Sequence, residues 1–354
     1  MPTVLAANRL LIFVEHVDLL TVVIICGVIG FVLGRFTAGW SATMLHDMNH
    51  GGLMQCARCQ HPIGRVARWL ALPSVKCGQC RKRQRWPLRS AVGLSALFMF
   101  YAFCLFDPLI QGQSVHEVRP DGDLLWSRLP FHLSLIFLIW TATVTDFLDY
   151  VIPDEVIGAG LLIAMTGAVW SGELQMIHIW VDWDEASVSL DGPYLPDWMK
   201  NHHHWHGLAW SMAGMLTGGL VTWLVRFLGG KILGSPALGA GDVTMMAMVG
   251  AYIGWQPTLC ALALAPIAGA VLGVGCRVIT GRTFVAFGPY LAFSTYVVLC
   301  AWRFLWADWL CLRDIFSHWP TVCGLLFGAL AGMCLLLSLQ RIVRSLPADR
   351  VGRR

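Results

Sequence analysis

Residues 129–150 read LPFHLSLIFLIWTATVTDFLDY, and the first seventeen of them contain no Asp, Glu, Lys or Arg. About 20 apolar residues in a helix cross the roughly 30 Å hydrocarbon core of a bilayer. Residues 129–145 are therefore predicted to span a membrane. Asp146 follows at the point where this span ends, and an ionisable group at such a depth is expected to be functional.

Similar apolar runs recur along the whole chain of 354 residues, of which 56% are hydrophobic and only 13% charged. Soluble domains carry about 25% charged residues. We therefore predict an all-α fold, a polytopic bundle of eight or nine transmembrane helices embedded in a lipid bilayer. The nine candidate spans are 19–40, 90–110, 129–145, 155–171, 207–229, 242–256, 257–279, 287–306 and 320–340, of which 242–256 is the shortest.

The distribution of Lys and Arg predicts which loops face the cytosol. Residues 41–89 contain nine basic side chains and one acid, and residues 341–354 contain five arginines and one acid. Residues 173–206 instead contain six acids and one lysine. Nine spans with an outer N-terminus and a cytosolic C-terminus fit this bias. The bias also accounts for the net charge of +4, so no nucleic-acid partner is expected.

Composition divides the chain into three parts. Residues 1–89 contain the first span and a basic cytosolic loop, and residues 90–306 form the transmembrane bundle, with the long outer loop 173–206. Residues 307–354 add a last span and an arginine-rich tail. The outer loop is rich in Trp, and Trp is favoured at membrane interfaces.

The loop after the first span contains two C-x2-C pairs, Cys56/Cys59 and Cys77/Cys80, with seventeen residues between them. Two such pairs can supply four thiolates to one tetrahedral zinc ion. Disulfides are not expected on a reducing cytosolic side. We predict a structural zinc site that folds the loop; a redox role for either pair is the alternative.

Two aspartates lie at the edges of predicted spans, where a carboxyl group is costly. Asp146 ends the third span, and Asp242 begins the sixth after Leu238-Gly239-Ala240-Gly241. Both fall at the cytosolic face in the predicted topology. Two neighbouring carboxylates can share one proton and act together as base and acid on a peptide bond. Taken singly, Asp146 could be a helix-end residue, and Asp242 could be an N-cap.

The chain resembles the bacterial type IV prepilin peptidases in four motifs. The stretch from Asp146 to Pro153-Asp154 resembles their first active-site motif, and Gly239-Ala240-Gly241-Asp242 resembles the second, G-x-G-D. Phe287-Gly288-Pro289 is similar to their F-G-P segment, and the double C-x2-C loop occupies the same place in the order.

The resemblance implies an aspartic endopeptidase of the inner (cytoplasmic) membrane that removes basic leader peptides from prepilins or pseudopilins. It implies catalytic roles for Asp146 and Asp242 and a zinc ion on the four cysteines. Many members also methylate the new N-terminus with S-adenosylmethionine. That cofactor stays an open question here, because the first cysteine pair lacks the usual proline and Trp86-Pro87-Leu88-Arg89 replaces an acidic ending.

Two other functions remain as alternatives. A presenilin-like membrane protease also uses a G-x-G-D element, and a non-enzymatic assembly or transport protein could use the aspartates to conduct ions. Three further features have simpler explanations. The segment His202 to His206 could bind a metal, but we interpret it as a polar turn on the outer side of the membrane. Asp149 and Asp154 read as turn and cap residues, and the basic cluster 81–85 as a determinant of topology.

Overall fold

The computed structural model describes residues 18–50, 56, 59, 74–81, 83–85, 88–106, 112–115, 117–118, 122–180, 196–234, 238–280 and 286–345. These residues form eleven α-helices, a π-helical turn at Phe304–Asp308 and one antiparallel pair of short strands. The strands are β1 (Ser74–Lys76) and β2 (Arg83–Arg85). The helices are α1 (Leu19–His50), α2 (Leu88–Phe106), α3 (Gly122–Asp149), α4 (Asp154–Ser171), α5 (Asp197–Asn201), α6 (His203–Leu233), α7 (Ala240–Ile253), α8 (Trp255–Thr280), α9 (Gly288–Arg303), α10 (Leu312–Ser317) and α11 (Trp319–Ser345).

The predicted helical membrane bundle is confirmed. Within the described ranges, eight helices are long and apolar enough to cross a bilayer, and the short apolar helix α7 provides the ninth of the predicted segments. The predicted boundary between the sixth and seventh spans was wrong, because α7 ends before Gly254 and α8 already contains Gln256 and Pro257. Gly254 has a φ of 82°, which glycine adopts readily. Pro257 is tolerated in the first turn of α8, where no intrahelical donor is required.

Small residues allow the helices around α7 to pack backbone to backbone. A Cβ atom on Gly214 of α6 would collide with the carbonyl of Gly250 on α7, and a Cβ atom on Gly250 would collide with that of Gly214. Gly34 of α1 approaches Ala91 of α2 in the same way. Apolar lipid tails provide no hydrophobic drive between helices, so association depends on such close packing. The contact holds α7 firmly against α6.

The far end of α7 lies beside the predicted outer loop. Directly after it, in the first turn of α8, the Trp255 Nε1–H donates to the carbonyl of Ile179 at 2.7 Å, and the Gln256 amide donates to the carbonyl of His178 at 2.9 Å. These contacts tie the far end of α7 to the first part of the predicted outer loop, of which residues 181–195 lie outside the described residues. The beginning of α7, with Asp242, therefore lies at the opposite face. The division into three parts stays a prediction.

Candidate active site

Asp146 lies in the last turn of α3. Only 7% of its surface is exposed. The helix ends three residues later at Asp149. The next residue, Tyr150, takes a left-handed conformation with φ of 58°, and its N–H donates to the carbonyl of Asp146 at 3.0 Å. The chain then turns through Pro153 into α4, whose first turn contains the predicted cap residue Asp154. This turn returns the chain beside the Asp146 side chain.

Asp242 lies in the first turn of α7 and is 6% exposed. Its Oδ2 atom accepts a hydrogen bond of 3.0 Å from the backbone N–H of Gly239. A carboxylate at this position satisfies a donor that the helix itself leaves unpaired. The predicted N-cap function is therefore present in a related form, since Gly239 is the cap and Asp242 reaches back to it. The other carboxylate oxygen, Oδ1, takes no part in this hydrogen bond.

The two aspartates meet around Gly288, the first residue of α9. A Cβ atom placed on Gly288 would come within 3.0 Å of Asp146 Oδ2 and would lie 3.5 Å from Asp242 Oδ1. The sum of these distances limits the separation of the two carboxylate oxygens to about 6.5 Å. The side chains are 96 positions apart in the sequence, and the fold brings both to one buried point. Their catalytic roles stay a prediction.

Glycine is required at two positions for this convergence. At Gly288 any side chain would collide with the Asp146 carboxylate. At Gly241 a Cβ atom would lie 2.9 Å from the Cβ atom of Ile152, in the loop after α3. The start of α7 therefore approaches this loop closely at Gly241. The F-G-P resemblance pointed to Gly288, although its place between the carboxylates could not be read from the sequence.

The surroundings of the pair suit one negative charge better than two. The N-terminal ends of α7 and α9 meet at the pair, and helix N-termini carry a partial positive charge. Asp146 Oδ2 is buried and has no hydrogen-bond partner in the part of the chain that the structure describes. Two carboxylates this close and this buried repel each other if both are ionised. The arrangement can therefore hold one shared proton or a bridging water between the carboxylates.

The neighbouring acids occupy more open positions. Asp149, in the same turn of α3 as Asp146, is exposed, and Asp154 is exposed at the start of α4. Both differ in this from the buried carboxylate pair. The predicted cap role of Asp154 is wrong, because Pro153 is the N-cap of α4 and Asp154 is the first residue of its first turn.

The four predicted metal ligands come together at the β1–β2 hairpin. The Sγ atoms of Cys56 and Cys80 lie 3.5 Å apart, as do those of Cys59 and Cys77, and all four lie within 4.8 Å of one another. A tetrahedral ion with metal–sulfur distances of about 2.3 Å requires sulfur–sulfur separations slightly below 4 Å. The cluster could therefore hold one metal ion with little rearrangement.

The hairpin also favours the thiolate form that a metal requires. Lys76 pairs with Arg83 across the strands, and the chain between them turns through Cys77 to Cys80. Backbone hydrogen bonds involving Cys80 and then Gln79 lower the pKa of the Cys77 thiol. A lower pKa means that more of this thiol is already ionised at neutral pH, which assists metal binding.

The histidine cluster does not form a comparable group. His206 is buried and packs its ring 5.4 Å from that of His178, whereas His202, His203 and His204 are exposed. Among the described residues, the four cysteines are the group with metal-binding geometry. The expected polar turn agrees with the exposure of His202, His203 and His204, but it was wrong for His206, which is buried in the first turn of α6.

Comparison with known proteins links the chain to one family. Residues 193–274, which include α6, α7 and Asp242, match the model of the type IV leader peptidase family. A prepilin leader peptidase/N-methyltransferase of Pseudomonas putida is 28% identical over 267 residues, which cover 72% of each chain. Its counterpart in Aeromonas hydrophila is 29% identical over 161 residues, 41% of this chain and 54% of the relative.

The counterpart in Aeromonas salmonicida is 28% identical over 153 residues, so the chain spans about half the length of the Aeromonas relatives. No solved structure matches the chain. The long Pseudomonas alignment and the family match agree with the four motifs that carried the resemblance. These matches confirm the resemblance of the chain to the type IV leader peptidase family, and they support a peptidase.

Proposed function

We propose that the protein is an aspartic endopeptidase that cuts basic leader peptides from type IV prepilins or pseudopilins at the cytosolic face of the inner membrane. The observation that carries the proposal is the buried meeting of Asp146 and Asp242 around Gly288. Relatives named prepilin leader peptidases support the substrate class. The many basic residues near the predicted cytosolic loops support the orientation.

The proposed reaction uses one ionised and one protonated carboxyl group. The ionised group removes a proton from a water molecule as the water oxygen attacks the scissile carbonyl carbon. The protonated group donates its proton to the carbonyl oxygen, which gives a neutral tetrahedral intermediate. When the C–N bond breaks, the carboxyl group that took the water proton gives it to the departing nitrogen, and one hydroxyl of the intermediate returns its proton to the other carboxylate. The leader carboxyl and a new N-terminal amine are then released. The helix N-termini of α7 and α9 would stabilise the single negative charge.

The position of the aspartates favours this function over a presenilin-like protease that cuts in the middle of the membrane. Asp146 lies in the last turn of its helix and Asp242 in the first turn of its own. Both carboxylates therefore lie at one end of the bundle rather than at its centre. A cut close to a membrane face suits a substrate whose leader lies in the cytosol.

We further propose that the four cysteines hold a structural zinc ion. Zinc suits four thiolates in a tetrahedral arrangement, and its binding would order a loop that is too short and polar to fold alone. The ion is not required for any step at the aspartates. Methylation of the new amine by S-adenosylmethionine is a second candidate activity, favoured by the N-methyltransferase names of the relatives.

One experiment tests the function. The purified full chain is incubated in detergent with a synthetic prepilin-like peptide and S-adenosylmethionine, and the masses of the products are measured by mass spectrometry. Cleavage after the basic leader supports the proposal, and one added methyl group supports the second activity. The proposal is contradicted if the peptide stays intact with the full chain under conditions in which a related peptidase is active.

A further inference from the structure

A partly buried hydrogen bond links Arg226, on the last part of α6, to the turn before Asp242. The Nη1 atom of Arg226 donates a hydrogen bond to the carbonyl oxygen of Leu238. Helix α6 ends at Leu233, Gly234 takes a left-handed conformation, and the chain comes back toward α7 at Leu238. The arginine therefore reaches across from the end of one helix to the entry of the next.

The carbonyl that Arg226 binds belongs to the same peptide group that binds Asp242. The C=O of Leu238 and the N–H of Gly239 are the two polar ends of one planar unit. The carbonyl end accepts from the guanidinium, and the amide end donates to Asp242 Oδ2 at 3.0 Å. Rotation of this peptide would break both hydrogen bonds. The guanidinium therefore holds the donor of Asp242 in a fixed direction.

Two physical effects follow from this relay. Hydrogen bonds in series polarise one another, so a cationic donor at the carbonyl strengthens the bond that the amide makes at its other end. Fixing Oδ2 also directs Oδ1 toward Gly288 and the Asp146 carboxylate. In addition, the positive charge of Arg226 attracts the Asp242 carboxylate directly. All three keep the carboxylate in the orientation in which it meets Asp146.

We infer that Arg226 is a positioning residue, which orients Asp242 for catalysis through the Leu238–Gly239 peptide. The inference rests on the proposed function of Asp242. Its guanidinium binds the carbonyl of Leu238, so Arg226 acts through Asp242.

The ordinary explanation of such an arginine is that it extends its head group to the membrane surface or interacts with the negative end of its helix. Lys231 provides the matched comparison, because it lies on the same helix, nearer to its end, with its Nζ atom 4.5 Å from the centre of the Phe227 ring. Lys231 contributes the same charge to the same end of α6. The two explanations predict different results for the two residues.

The test compares Arg226→Gln, Arg226→Lys and Lys231→Gln in the full chain, with a prepilin-like peptide as substrate. We expect Arg226→Gln to lower kcat by about 10- to 100-fold with KM unchanged, because a small misplacement of a reacting group has an effect of this size. Arg226→Lys keeps a charged donor and is expected to recover part of the loss. Lys231→Gln is expected to keep both constants.

Three results would overturn the inference: normal kcat in Arg226→Gln, a loss confined to KM, or an equal loss of kcat in Lys231→Gln. If Arg226→Gln does not fold, the inference is tested with Arg226→Lys, whose kcat is expected to lie below that of the wild type with KM unchanged. Asp242→Asn is measured beside these variants. If Asp242→Asn is inactive and Arg226→Gln is fully active, only the positioning role of Arg226 is excluded. If Asp242→Asn is active, the proposed function is excluded as well.

Discussion

The aspartate pair and the cysteine cluster bring ligands together in opposite ways. The four cysteines come from two short segments of one loop, and each pair is already adjacent through its C-x2-C spacing. The aspartates come from helices 96 positions apart and meet only because α3, α7 and α9 all have an end at one face. The first site depends on local chain geometry and the second on the packing of the whole bundle. Changes to the two sites should therefore separate cleavage from metal binding.

The largest effect is expected from removing one of the two carboxyl groups. Asp146→Asn or Asp242→Asn should each lower leader cleavage by about 10³-fold or more, because general acid and base catalysis contribute on that scale. Asparagine has nearly the same shape, so the metal content should not change. Kinetics with a prepilin-like peptide and metal analysis of the same samples measure both.

Asp149→Asn provides the control for this prediction. Asp149 lies in the same turn of α3 and is exposed, so its amide variant should keep most of the activity. Normal processing by either Asp146→Asn or Asp242→Asn would end the hypothesis of an aspartic pair.

A second, smaller effect is expected at Gly288. The added methyl group of Gly288→Ala would collide with Asp146 Oδ2 and force the carboxylates apart. We expect kcat to fall by about 100-fold, the scale on which misplacement of a reacting group acts. Cleavage kinetics provide the measurement.

Gly328→Ala on α11 is the matched substitution, because no heavy atom lies within 4 Å of a Cβ atom placed at Gly328. It should leave the kinetics unchanged. Wild-type activity in Gly288→Ala would show that the pair has more freedom than this packing allows.

A third change is made in the cysteine cluster. Cys56→Ser should abolish metal binding, from about one zinc ion per chain, and make the loop after α1 sensitive to proteases. The aspartates lie in a different part of the fold, so cleavage should fall by less than in Gly288→Ala. Metal analysis and limited proteolysis of the purified chain check this prediction. Loss of the metal without any gain in protease sensitivity would contradict a structural role.

The metal should also depend on pH. Protons compete with the ion for the thiolates, so zinc is expected to leave as the pH falls. The pKa of Cys77 is lowered in the folded hairpin by its backbone hydrogen bonds, so this stabilisation is full above the ordinary pKa of a thiol and is lost as the pH falls through the lowered value. Gln79→Pro would remove one of these backbone donors inside the knuckle and should move metal release to higher pH. Zinc titrations at several pH values measure the shift, and an unchanged release curve would contradict it.

Sequence reasoning succeeded where the signal was local. Apolar runs predicted the spans, and cysteine spacing predicted the metal cluster, because each depends on neighbours in the chain. It placed the α7–α8 boundary at Gln256-Pro257, whereas the break at Gly254 depends on the approach of Trp210 from α6, whose indole would collide with any side chain there. It also gave no sign of Arg226, because a single arginine near the end of a span is ordinary until the partner of its guanidinium is known.

The shortness of α7 has a consequence for the surrounding lipid. Fourteen helical residues extend about 21 Å, roughly 9 Å less than the hydrocarbon thickness of an average membrane. Such a hydrophobic mismatch is relieved by local thinning of the bilayer or by a depression in the protein surface. Either change would bring water and the polar head groups closer to the end of α7 at which the buried carboxylates lie. The path that water must take to the pair would then be shorter than across a bilayer of full thickness.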